Sequence, residues 1–176
     1  TDGMNFAKEW LAQNTNKAGF KGSLKEALKG ADLFLGVSGP GLLNGEDLKV
    51  MAPNAIIFAL SNPVPEVMPE EALPYVKVMA TGRSDYPNQI NNVLCFPGLF
   101  KGLLDSYAKT VTQEMIVAAS RAIADTVKPD QLRAEYIIPS VFNKDVAPAV
   151  AAAVAQVAID SGLTKDIPDE VTSVEL

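Results

Sequence analysis

Histidine is missing altogether from the 176 residues, and cysteine occurs once, at Cys95. Without an imidazole, Ser-His-Asp and Cys-His catalysis, His-based zinc sites and His acid–base chemistry are excluded within this sequence. A lone cysteine forms no intrachain disulfide, which fits a reducing, cytoplasmic setting. With no histidine to activate it, Cys95 reads as a small apolar side chain rather than a nucleophile. Chemistry is left to carboxylates, Lys, Tyr, amides and backbone.

Basic runs are lacking too, and 15 Lys and Arg against 21 Asp and Glu give a net charge of −6. That removes the electrostatic footprint a phosphate backbone requires, so nucleic acid is excluded as a partner. The longest low-polarity stretch, Val146 to Ile159, is interrupted by Gln156. It falls short of the roughly 20 residues a membrane span needs. The opening TDGMNFAKEW lacks the basic start and apolar run of a signal peptide. A soluble protein with no membrane partner is expected. What is present, 48% hydrophobic and 20% charged residues, suits one domain, or a large piece of one, with a sizeable core.

Short apolar runs alternate with helical signals. Met4 to Gln13 is compatible with a helix, and Ser23 with Glu26 forms a capping box for a short helix stopped at Gly30. Leu33 to Val37 is an apolar run that suits a strand buried on both faces. Asn44 offers a cap for a helix through about Met51. Ala55 to Leu60 and Val76 to Ala80 are two further strand candidates, and Pro69 with Glu70 and Glu71 marks a helix start between them. The pattern predicts a three-layer, mostly parallel α/β sheet of the doubly wound kind, followed by C-terminal helices.

Those helices are expected over Asn91 to Asp105 with a kink at Pro97, over Gln113 to Thr126 behind a cap at Thr110, and over Asp145 to Asp160. In the last, Val146, Val150, Val154 and Val157 form a stripe read as a seam against the sheet. The tail with Asp166, Asp169 and Glu170 is expected to fray or pack loosely.

In an open parallel sheet, ligands bind beyond the carboxyl ends of the strands. Three such ends carry SGPG (38–41), SNP (61–63) and TGRSDYPNQ (81–89), which should converge on one crevice. GVSGPG is not G-x-G-x-x-G, so Ser38 and Gly39 are either plain turn residues or neighbours of a ligand. Asn62, held extended by Pro63, either aims its amide into the crevice or caps an Asx turn. Asn91 and Asn92 open the helix containing Pro97, where free amides favour an anion or are simply capped. Arg83 and Asp85 read as a solvated ion pair. No general base with a supporting partner and no carboxylate cluster spaced for a metal is visible.

The runs FALSNPVPE (58–66) and ATGRSDYPNQINNVLCFPGLFKG (80–102) resemble the C-terminal part of the cofactor domain of bacterial NAD(P)-dependent malic enzymes. GADLFLGVSGPG (30–41) and MPEEA (68–72) are similar to the same family in order and spacing. The resemblance implies that residues 1–176 form a single domain, the C-terminal part of the NAD(P)-binding domain. It implies oxidative decarboxylation of malate to pyruvate and CO2, with NAD or NADP as hydride acceptor and Mg2+ or Mn2+ polarising the substrate. Ser38, Gly39 and Asn62 would lie at the cofactor, and Asn62, Asn91 and Asn92 at malate. The family's glycine fingerprint, catalytic Tyr and Lys, and metal ligands would all lie upstream of Thr1. The stretch would then be inactive alone, with an open sheet edge or face, in a protein expected to be a homodimer. A non-catalytic nucleotide-binding or interaction module, or another nicotinamide-dependent dehydrogenase, are the alternatives.

Overall fold

The computed structural model describes residues 3–164. Three short strands, β1 (Leu33–Gly36), β2 (Ile56–Ala59) and β3 (Val78–Thr81), pair in parallel in the order β1-β2-β3. Register sets Phe34, Ile57 and Met79 in one row and Gly36, Ala59 and Thr81 in another. Side chains alternate along a strand, so both rows share one face, and every residue in them is buried.

Onto that face pack α2 (Leu24–Ala27), α3 (Gly45–Leu48) and α4 (Pro69–Ala72). They place Leu28, Leu48 and Ala72 in one apolar cluster with Phe34, Ile57 and Met79. Single turns of helix are not stable alone, so packing and caps must hold them. Ser23 accepts from the Glu26 amide while the Glu26 carboxylate accepts from Ser23, the expected box. Asn44 and Asp47 repeat it, in a helix that ends at Leu48 rather than Met51. Pro69 opens α4, where its missing donor is harmless.

The other face corrects the expectation that β1 is buried on both sides. Leu33 and Leu35 are 50% and 57% exposed, because helices cover only the Phe34 side of this strand. It is the open face that the family resemblance implies.

Beyond β3 the chain is helical, with α5 (Phe96–Asp105), α6 (Gln113–Asp125) and α7 (Val146–Asp160). A separate three-residue 3-10 turn, Asn92–Leu94, precedes α5. The single helix expected from Asn91 is therefore two pieces. Pro97 sits in the first turn of α5, where no amide donor is required, and kinks nothing. The cap of α6 is Thr112, not Thr110, since the Thr112 hydroxyl is the one within reach of the Met115 amide.

Val146, Val150 and Val154 are buried, but against α5 and α6 in a second cluster that shares no residue with the first. The seam is not laid on the sheet because α5 offers a barer seat. A Cβ at Gly98 or Gly102 would stand 2.6 or 2.5 Å from the carbonyl oxygens of Ala147 and Ala151 on α7. α1 (Phe6–Asn14), capped by Asn5, buries none of its residues. The tail residues Asp166, Asp169 and Glu170 lie outside the described residues. No described helix is long and apolar enough to cross a membrane.

Candidate functional site

Parallel strands send their carboxyl ends the same way, so the turns after β1, β2 and β3 open on one edge of the sheet. Glu66, fully buried, stands between the first two. One carboxylate oxygen accepts from the Ser38 amide at 2.8 Å and the Ser38 hydroxyl at 3.4 Å; the other accepts from the Ser61 amide at 3.0 Å. Backbone bonds reinforce the tie: the Gly41 amide donates to the Pro65 carbonyl at 3.1 Å and the Leu43 amide to the Glu66 carbonyl at 3.0 Å. The turn passes through a left-handed φ of 63° at Gly41, a conformation that suits glycine.

The carboxylate fits there only because residue 36 has no side chain. A Cβ on Gly36 would stand 2.6 Å from the Glu66 carboxyl carbon. Burial pushes the Glu66 pKa up, but the amides of Ser38, Ser61 and Glu66 itself, with the Ser38 hydroxyl, outweigh it and hold the group below the usual carboxylate value. Glu66 is a buried anion whose partners are neutral dipoles.

The third turn closes on itself. The Thr81 hydroxyl accepts from the Arg83 amide at 3.1 Å, and the Ile90 amide returns to the Thr81 carbonyl at 2.8 Å, so Asn91 and Asn92 depart from the end of β3. Arg83 and Asp85 form the expected pair, at 2.9 and 2.6 Å, with the guanidinium 5.3 Å from the Tyr86 ring. The Tyr86 hydroxyl donates to Glu70, which holds the Glu70 carboxyl below its ordinary value and the Tyr86 phenol above its own. Asn88 is buried and uses its whole amide: Nδ2 donates to the carbonyls of Met79 at 3.0 Å and Ala134 at 2.8 Å, and Oδ1 accepts from the Ile137 amide at 2.9 Å. A cleft of about 420 Å3 opens beside this clasp, lined in part by Gln89, Asn91, Tyr136, Ser140 and Phe142.

The structure thus places every sequence-predicted site residue on one edge, without bringing all of them into contact. Ser38 and Asn62 are joined through Glu66 and the Ser61 amide. Gly39, beside Ser38, is half-buried. Asn62 is exposed, linked to Pro63 by a cis peptide bond, and no hydrogen bond engages its side chain among the described residues. It is not an Asx cap. Asn91 is a cap, its Oδ1 accepting from the Val93 amide at 3.0 Å. Because α5 starts at Phe96, neither Asn91 nor Asn92 sits at that helix's N-terminus, and the expected dipole attraction for an anion is lost. The cleft takes in Asn91 but not Ser38, Gly39, Asn62 or Asn92.

Sequence patterning does not single out Glu66 or Asn88, whose buried side chains tie these turns. Glu66 carried one signal, an acid enclosed by Pro65 and Val67; Asn88 carried none among the polar residues around it. Cys95 is half-buried, and burial pushes its thiol up, away from the nucleophilic thiolate. Among the described residues no group of three or more Cys, Asp or Glu side chains gathers to hold a metal ion.

An open parallel sheet flanked by helices, with tied turns at its carboxyl edge, defines an α/β domain of the Rossmann type. Residues 71–159 match the family model described as malic enzyme, NAD binding domain. The chain belongs to this malic enzyme family. It is 56% identical over 154 residues to an NAD-dependent malic enzyme of Geobacillus stearothermophilus, covering 88% of this chain and 32% of that protein. It is 50% identical over 165 residues to a bifunctional malic/malolactic enzyme of Bacillus subtilis, covering 93% and 40%. The crystal structure of malic enzyme from Pyrococcus horikoshii superposes with a TM-score of 0.84 at 44% identity, over 92% of this chain and 37% of that one. The chain therefore spans well under half the length of these relatives.

Proposed function

We propose that this chain supplies part of the dinucleotide and substrate crevice of a malic enzyme, which converts malate to pyruvate and CO2 and passes hydride to NAD+ or NADP+. The 56% identity to a relative named NAD-dependent malic enzyme carries the reading. Ser38, Gly39 and Asn62 meet the cofactor; Asn62, Asn91 and Asn92 meet malate. The exposed amides of Asn62 and Asn92 offer both donors and acceptors, a chemistry that suits hydroxyl, carboxamide and carboxylate groups. The bound dinucleotide supplies the hydride acceptor, and this chain's residues bind and orient.

The divalent ion, Mg2+ or Mn2+, takes its ligands from outside the described residues, as do the catalytic Tyr and Lys. On this reading residues 1–176 are the C-terminal part of an NAD(P)-binding domain in a cytoplasmic homodimer, and they do not turn over alone. The test is malate-dependent formation of reduced nicotinamide, followed optically with Mn2+ on the isolated 176-residue chain and on the full-length protein. Turnover by the full-length protein alone is expected. Turnover by the isolated chain would overturn the assignment of acid–base and metal groups elsewhere, and a full-length protein inert toward malate would overturn the substrate.

A further inference from the structure

We propose that Glu66 is the positioning residue of this crevice, setting the Ser38 and Asn62 turns in register so that the dinucleotide meets both at once. The proposal rests on the reading above for the identity of the ligand, and on geometry for the rest. Two turns that belong to different strands have no regular ladder between them beyond Gly36 and Ala59. The only described groups that bridge the turn amides of Ser38 and Ser61 are the two oxygens of one carboxylate, at 2.8 and 3.0 Å. That carboxylate is fully buried and, among the described residues, pairs with no cation. An unpaired buried charge is retained against a large desolvation penalty only when dipoles aimed at it compensate. Here those dipoles are the backbone of the ligand-facing turns.

The arrangement also limits what binds over these turns. The Ser38 and Ser61 amides, which a phosphate would otherwise seek, are already spent on an internal anion. A phosphate therefore finds no free amide at Ser38 or Ser61.

The experiment uses Glu66→Gln and Glu66→Asp in the full-length protein, with Val64→Ala on the same exposed loop as control. Amide exchange at Ser38 and Ser61 is read without any ligand, and NAD+ and NADP+ titrations and steady-state kinetics follow. The Gln side chain turns an NH2 toward one amide, and the Asp side chain reaches only one turn. Both variants should raise exchange at Ser38 or Ser61 at least tenfold while exchange in α7 is unchanged. Dinucleotide affinity should fall about tenfold and KM should rise more than kcat falls. Protected Ser38 and Ser61 amides in either folded variant would overturn the proposal, as would unchanged dinucleotide affinity alongside raised exchange. Should Glu66→Gln fail to fold, Glu66→Asp decides on the same readouts. Wild-type protein that binds neither dinucleotide sinks the reading of function instead, and amide exchange still judges the tie.

Discussion

Asn88 shows how much one side chain decides. Its φ of 57° is left-handed, which asparagine tolerates better than most residues, and its amide satisfies three backbone groups from two distant segments. Asn88→Ala leaves the Met79 and Ala134 carbonyls and the Ile137 amide unpartnered. We expect a loss of about 2–3 kcal/mol in urea unfolding, since buried polar groups left unpaired cost about 1–3 kcal/mol. Glu66 predicts a pH effect of definite sign. Its folded pKa lies below the ordinary 4.5, so the stability it lends is present above about that pH and is lost as pH falls through the folded value. Denaturant midpoints should drop on acidification below 4.5, and Glu66→Gln should flatten that acid limb without steepening the neutral one.

At the scale of elements, the contact of α5 with α7 depends on the absence of two side chains. Gly102→Ala gains helix propensity of roughly 1 kcal/mol, but its methyl meets the Ala151 carbonyl at 2.5 Å, and backbone does not yield as a flexible side chain does. Overpacking of this kind costs about 1–3 kcal/mol, so the net change in thermal unfolding should be a loss. The elements legible in the sequence were those fixed by neighbours: the Ser23 and Asn44 caps and the Pro69 start all act within four residues. What was not legible needed partners from afar. The valine stripe states that α7 buries a face, but not that α5 rather than the sheet receives it. Glu66 acquires meaning only when Ser38, 28 residues earlier, folds onto it. Pro97 was ambiguous for another reason, because the same ring kinks a helix interior or opens a first turn, and the difference lies in where the helix begins.

For the whole molecule, the uncovered side of β1 matters most. Leu33 and Leu35 are exposed on an edge strand, with Val37 exposed just beyond its end, a combination that invites pairing with another chain. In the isolated 176-residue chain, Leu35→Lys should therefore lower self-association in sedimentation experiments and leave the unfolding temperature nearly unchanged, because Leu35 contributes little to the packed side. The two apolar clusters have a different consequence. One belongs to the sheet with α2, α3 and α4, the other to α5, α6 and α7, and they share no residue. Cooperativity between them must pass through the chain linking β3 to α5 and through the Asn88 clasp. The molecule should then melt as two foldons rather than one. Its calorimetric enthalpy would exceed the van't Hoff value, and β2 and α7 would open with different free energies.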